Sequence, residues 1–213
     1  MYGLYVITEC WRGRSHADVA RAALAGGARA LQLRSKEMSV RELLAAAQEL
    51  REMCARADAV LVVNDRLDVA LAAQAHGVHL GPDDLPVASA RRALLGWERS
   101  RFVIGASVST IEEAKQAVAD GADYLGVGSI FATDTKPDAG EPVGLQRLAE
   151  IRRAVSLPLV AVGGITSDNV AEVIRAGADG AAVISAVSRA DDMEPAARRL
   201  VAIIEESKRA RKK

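Results

Sequence analysis

Asp120-Gly121-Ala122-Asp123-Tyr124-Leu125-Gly126-Val127-Gly128 holds a helix stop and a strand within a few residues. Gly121 follows an amphipathic stretch, at the place where the residue after a helix usually takes a positive φ that costs glycine little. The residues from Tyr124 to Gly128 then read as a buried strand. The same punctuation recurs at Ala25-Gly26-Gly27-Ala28 and at Ala176-Gly177-Ala178-Asp179, each time between a helical pattern and a short apolar run. Outward from these marks, strands are predicted at 4–8, 30–34, 60–64, 78–81, 102–107, 124–128, 159–163 and 180–185, with amphipathic helices between them. Leu145, Leu148, Ile151 and Val155 show the helical spacing of three and four. Ser109 with Glu112 predicts a capping box, and Asp191 or Asp192 a cap for the last helix.

Eight strands, each followed by a helix and with no Pro/Gly/Ser linker, predict an α/β protein: a single (β/α)₈ TIM barrel of parallel strands over residues 1–213. An open doubly wound sheet has locally similar units. The basic end, 208–213, reads as a frayed, solvated helix terminus.

The composition bounds the partners. Half the 213 residues are hydrophobic but only 3% are aromatic, which suits a core of Val, Ile, Leu and Ala. Lys plus Arg equals Asp plus Glu at 28 each, so no global field recruits nucleic acid or a membrane, and an anion site must be built locally. The two cysteines, Cys10 and Cys54, form no metal-ligand or disulfide pattern. Cys54 falls on the apolar stripe of Val40, Leu43, Leu44, Ala47 and Leu50, as a packed thiol does. The first residues lack a signal-peptide pattern and no run is long enough to span a membrane, so the expectation is a cytoplasmic protein. The composition leaves a homo-oligomer open.

In such a barrel the site forms at the C-terminal ends of the strands. Strand 2 ends in Gln32-Leu33-Arg34-Ser35-Lys36, where alternation sends Gln32, Arg34 and Lys36 to one side. Surface cations opening a loop would look the same. Strand 3 runs into Asn64-Asp65-Arg66, and strand 4 into Gly77-Val78-His79-Leu80-Gly81-Pro82-Asp83-Asp84. Asp65 and Asp84 suit helix caps. They also suit Mg²⁺, which takes a couple of carboxylates plus water and phosphate oxygens. His76 and His79, three apart on a strand, face opposite ways, so His79 is expected to be a packed or hydrogen-bonded barrel residue and not half of a metal pair.

Strand 5 ends at Ser107. A long loop after strand 6 carries Thr133-Asp134-Thr135-Lys136, two hydroxyls and an ammonium able to meet a phosphate. Strand 7 ends in Gly163-Gly164-Ile165-Thr166, read as opening a helix whose amides an anion could approach. Strand 8 ends in Ile184-Ser185, and phosphate sites in these barrels commonly use the loops after strands 7 and 8. No Ser–His–Asp or Cys–His nucleophile system is present. The residues point to phosphate-ester or diphosphate chemistry driven by electrostatics.

These motifs, in this order and at these strand ends, closely resemble the thiamine-phosphate synthase (thiamine-phosphate pyrophosphorylase) family over essentially the whole chain. The resemblance implies a transferase of thiamine biosynthesis. Such an enzyme joins 4-amino-2-methyl-5-(diphosphomethyl)pyrimidine to a thiazole phosphate, giving thiamine monophosphate and pyrophosphate through a dissociative, Mg²⁺-assisted step. It further implies that Gln32, Arg34, Lys36, Asn64, Ser107 and Lys136 hold the pyrimidine diphosphate, with Arg34, Lys36 and Lys136 catalytic. Asp65 and Asp84 would coordinate Mg²⁺. Thr133, Thr135, Gly164, Ile184 and Ser185 would hold the thiazole phosphate. Ser129 and Ala132 stand where many members carry proline, and Pro82 where glutamine is frequent. Two alternatives stay open. One is a thiazole tautomerase of the same barrel family, whose acid–base histidine would fall at Ser109. The other is a non-catalytic regulator that binds thiazole phosphate.

Overall fold

A computed structural model describes residues 3–94, 102–135 and 141–211. Its first half runs β1 (Leu4–Thr8), α1 (His16–Ala25), β2 (Ala30–Leu33), α2 (Val40–Arg56), β3 (Val60–Asn64), α3 (Leu67–Ala72), β4 (Gly77–Leu80) and α4 (Val87–Ala93). The second half runs β5 (Val103–Val108), α5 (Ile111–Ala119), β6 (Tyr124–Val127), α6 (Gly144–Ala154), β7 (Leu159–Val162) and α7 (Val170–Arg175). It closes with β8 (Gly180–Val183), the short α8 (Ser185–Ser188) and α9 (Met193–Arg211). The strands pair in chain order and β8 pairs back onto β1, so the sheet is a closed parallel barrel. The expected (β/α)₈ architecture is therefore the observed one.

Alternation along each strand divides the core in two. In β2, Leu31 and Leu33 join the large apolar layer beneath the helices, while Ala30 packs inside the barrel with Tyr5, Ile7, Val62, Tyr124, Val160 and Ala182. Cys54 is in the outer layer, as its stripe predicts.

The end of the barrel where the strands begin is stapled by side chains that sit just before even-numbered strands. His76 Nδ1 accepts the Leu61 N–H of β3 (2.8 Å), Asp123 accepts that of Ile104 in β5 (2.7 Å), and Asp179 that of Leu159 in β7 (2.9 Å). Each staple satisfies an amide at the first or second position of its strand. Asp123 is held by Arg91 and Asp179 by Arg152 and Arg211. The repeated Gly-Ala-Asp motif thus joins a helix stop to a barrel staple.

Four expectations shift. Strand 8 stops at Val183, because its ladder to β1 ends at the Val6–Val183 pair, and Ser185 instead opens α8. The capping box moves by one, to Thr110 and Glu113, because β5 runs on to Val108. The glycines at 163 and 164 do not open α7 directly; a turn intervenes and α7 begins at Val170. The basic end is not frayed from residue 208: α9 is helical to Arg211, whose guanidinium donates to the carbonyls of Ile174 (3.0 Å) and Ala178 (2.8 Å). Among the described residues no helix is long and apolar enough to cross a membrane.

Candidate active site

Because all strands are parallel, their C-terminal ends share one face, and a cavity of about 330 Å³ opens there. Gln32 enters it from β2, with Arg34 and Lys36 just beyond. Asn64 and Asp65 follow from β3, Asp84 from the loop after β4, and Ser107 from β5. The opposite side is lined by Thr133 and Thr135 after β6, Gly164 after β7, and Ile184 and Ser185 after β8. One fold-wide register thus brings all but one of the sequence-predicted site residues to one cavity. Lys136 lies outside the described residues.

The carboxylate corner is built on an unusual backbone. Asp65 has φ +63°, the left-handed region that Asp tolerates better than most residues. Its N–H donates to the His79 carbonyl (2.8 Å), tying the turn to β4. That conformation turns the carboxylate toward Lys36, whose Nζ lies 2.8 Å from Asp65 Oδ2. Asp84 folds back on its own turn, accepting the Gly81 N–H (2.7 Å). Neither residue caps a helix: Arg66 precedes α3 and Pro86 precedes α4, both without a side-chain cap bond.

Asp65 and Asp84 are close enough that each alters the other's ionisation. Burial and then the Asp65 carboxylate push Asp84 up from its ordinary value. Burial would raise Asp65 as well, but the neighbouring Asp84 and the bond from Lys36 hold it below the usual range. Two carboxylates pressed together in this way have an excess of negative charge that a cation relieves. Among the described residues no group of three or more His, Cys, Asp or Glu gathers as a metal cluster. An all-oxygen pair fits Mg²⁺, which keeps several ligand positions for water and phosphate.

Across the cavity, Gly163 (φ +101°) and Gly164 (φ +63°) let the β7 loop pass against the β6 loop. A Cβ on Gly164 would stand 2.7 Å from Phe131 Cβ and 2.5 Å from the Ala132 carbonyl oxygen. Asn169 fixes the turn that follows, donating to the Gly164 carbonyl (3.0 Å) and accepting the Thr166 N–H (2.9 Å). Ser185 is the first residue of α8, a short extra helix of the kind that often completes a phosphate site in these barrels.

On the floor of the cavity His79 is the hydrogen-bonded barrel residue that the sequence predicts, but the two tyrosines that link it to Gln32 were passed over. Gln32 Nε2 donates to the Tyr5 hydroxyl (3.1 Å), which is 3.2 Å from the Tyr124 hydroxyl. The Tyr124 hydroxyl is 3.0 Å from His79 Nδ1, and His79 Nε2 is 3.0 Å from Ser107 Oγ. A signal was present: two of the chain's three tyrosines stand at inward positions of β1 and β6. The carbonyl of Gln32 is held in turn by Thr8 (3.2 Å), whose hydroxyl is bonded to His16 Nδ1 (2.8 Å). A second missed group joins distant parts of the chain. Arg189 lies 4.1 Å over the Trp11 ring and donates to Glu9 (2.9 and 3.1 Å), which also accepts the Ser188 hydroxyl (2.6 Å).

Comparison with known proteins gives the chain a family. The family model described as thiamine monophosphate synthase matches residues 4–187. A thiamine-phosphate synthase of Chloroflexus aurantiacus is 55% identical over 203 residues, covering 94% of this chain and 92% of that protein. One of Moorella thermoacetica is 53% identical over 205 residues, covering 95% and 96%. The solved structure of thiamine phosphate pyrophosphorylase from Pyrococcus furiosus superposes with a TM-score of 0.87 at 44% identity, covering 97% of this chain and 96% of that one. With a family model matching most of the chain and relatives more than half identical over nearly all of it, the chain belongs to the thiamine monophosphate synthase family.

Proposed function

We propose that this transferase joins 4-amino-2-methyl-5-(diphosphomethyl)pyrimidine to a thiazole phosphate, forming thiamine monophosphate and pyrophosphate. One observation carries the reading. A single cavity has cations and a carboxylate pair on its β2–β4 side and Gly164 and Ser185 on its β7–β8 side. Two phosphorylated reactants can thus be held with the reacting carbon of one and the ring nitrogen of the other between them.

Breaking the C–O bond to diphosphate leaves a pyrimidinylmethyl cation and moves negative charge onto the leaving group. Arg34 and Lys36 face that charge from β2, and Lys136 joins them by its place in the motif. Asp65 and Asp84 would hold Mg²⁺, which supplies further neutralisation of the diphosphate when bound. Gln32, Asn64 and Ser107 position the pyrimidine. Thr133, Thr135, Gly164, Ile184 and Ser185 position the thiazole phosphate so that its ring nitrogen meets the cation. The protein needs to supply no nucleophile. The tautomerase alternative gains nothing here, because the Ser109 hydroxyl is committed to Glu113 (2.9 Å) and offers no acid–base group.

The test is to incubate the purified protein with both phosphorylated substrates, with Mg²⁺ or EDTA, and to measure both products. Equimolar, Mg²⁺-dependent pyrophosphate and thiamine monophosphate are expected. Isomerised thiazole phosphate without pyrophosphate would mean a tautomerase, and bound but unchanged thiazole phosphate a regulator.

A further inference from the structure

The hydrogen-bond run beneath the cavity has a direction, and the roles proposed above leave it unused. Each hydroxyl owns one proton. Tyr5 is buried and its ionisation is pushed far up by that burial, so it remains a phenol. Its oxygen already accepts from Gln32 Nε2, which leaves its proton for the Tyr124 oxygen. The Tyr124 proton then points to His79 Nδ1, which must offer a lone pair. A neutral imidazole with a bare Nδ1 carries its proton on Nε2 and donates it to Ser107 Oγ. The Ser107 proton is left for the cavity that Ser107 lines.

The other end obeys the same count. Gln32 spends its amide nitrogen on Tyr5, and among the described residues its Oε1 has no partner. Among the described residues no buried side-chain oxygen lacks a partner, so this Oε1 is open to the cavity. The floor therefore offers an acceptor at Gln32 and a donor at Ser107. Reversing either end means reversing every bond between them, because each member has only one proton to give. Gly105 and Gly126 hold the run in place. A Cβ on Gly105 would stand 2.5 Å from His79 Nδ1, and one on Gly126 would stand 2.8 Å from its Cε1.

We infer that Tyr5, Tyr124 and His79 are positioning residues that fix the polarity of the cavity floor. The enzyme thereby selects a pyrimidine presenting an amino hydrogen to Gln32 over its deaminated 4-oxo counterpart. The inference deepens the synthase reading and rests on it for the identity of the ring. An amino group meets Gln32 Oε1 as a donor. A 4-oxo group brings two acceptors together, unless the amide turns and leaves Tyr5 without its donor. Sites built around a required hydrogen bond discriminate strongly, and a preference of at least about a hundredfold in kcat/KM is expected.

Two measurements test this. In ¹⁵N spectra of the ligand-free protein, with His79 assigned by its loss in His79→Gln, the ring should be neutral with its proton on Nε2. A proton on Nδ1, or an imidazolium at pH 7.5, would overturn the polarity. Second, kcat/KM for the 4-amino and 4-oxo pyrimidine diphosphates should be compared in wild type, Tyr5→Phe and Tyr124→Phe. Each variant should lose at least about tenfold of the preference, with KM for thiazole phosphate held within twofold. A purely structural role would lower stability without touching that ratio, so an undiminished preference in either folded variant would overturn the inference. If wild type turns over neither pyrimidine, the synthase reading fails, and the histidine spectrum still decides the direction of the run.

Discussion

Lys36 Nζ and Asp65 Oδ2, carried by the ends of neighbouring strands β2 and β3, meet at 2.8 Å on the rim of the cavity. Lys36 is largely exposed, and such rim pairs contribute little to stability. The bond from Asp65 holds Lys36 above its ordinary value, so the ammonium stays charged. What the pair achieves is placement: a cation and a carboxylate face the same side of the mouth before substrate arrives.

Asp65→Asn separates charge from backbone. Asn tolerates the left-handed conformation that residue 65 adopts at φ +63°, so melting should stay near wild type. Turnover should fall more than about tenfold at saturating Mg²⁺, because one lost charge contact costs roughly 1.4 kcal/mol or more of transition-state stabilisation. Asp65→Ala should lose the same turnover and also about 1 kcal/mol of stability, since Ala is strained at positive φ. Lys136→Ala should show the turnover loss. Near-normal rates in all three would remove these residues from the chemistry.

Gly164→Ala should act on the other substrate. The new Cβ would meet Phe131 and the Ala132 carbonyl while sitting at φ +63°. The β7 loop must then move away from the β6 loop, and the thiazole phosphate should bind at least about tenfold more weakly, a loss of roughly 1.4 kcal/mol. KM for the pyrimidine diphosphate should stay within a few fold. Equal weakening of both substrates would show that the cavity works as one unit rather than two sides.

The fold was legible because its signals are local. β-Branched runs, helix stops such as Gly121 and Gly177, and strand-end polarity each lie within a few residues. Alternation alone sent Gln32, Arg34 and Lys36 to one side, and they do line the cavity. What escaped depends on the closed register. Tyr5 and Tyr124 meet across 119 residues, and Glu9 and Arg189 across 180. A single sequence shows which residues of a strand point inward but not which inward residues share a level. Backbone detail was hidden too: nothing in Asn64-Asp65-Arg66 announces a positive φ, so a helix cap looked as good as a ligand. Where β8 stops was also beyond local reading, because its end is set by β1.

The cysteines should report on the core. Cys10 is exposed, whereas Cys54 is buried and its thiol is pushed up to about 12 by desolvation, against a smaller opposing pull from Arg51. A raised value leaves the neutral thiol in command at pH 8, and only the thiolate reacts readily. Alkylation of the native protein at pH 8 should therefore stop at one equivalent, on Cys10. Cys54 should react only as the protein unfolds, at a rate set by opening. Rapid modification of both thiols would mean that the α2 layer is not packed as described.

The staples at the strand-start end predict the opposite kind of variant, one that changes stability without changing chemistry. Asp179 accepts the Leu159 N–H and is held by Arg152 and Arg211, and Arg211 also reaches the Ile174 and Ala178 carbonyls. Asp179→Ala leaves the Leu159 amide without its acceptor and two guanidinium groups without their carboxylate. Loss of such a partly buried network should cost about 1–3 kcal/mol, which for a chain of this size lowers Tm by roughly 3–10 °C. Arg211→Ala should cost less, and the double variant less than the sum, because both remove the same contact. The cavity lies at the other end of the strands, so kcat/KM measured well below Tm should stay within about twofold of wild type, as conservation of function through loop placement in these barrels implies. A tenfold loss of kcat/KM in Asp179→Ala at a temperature where it is fully folded would show that the two ends are coupled through the β7 and β8 strands.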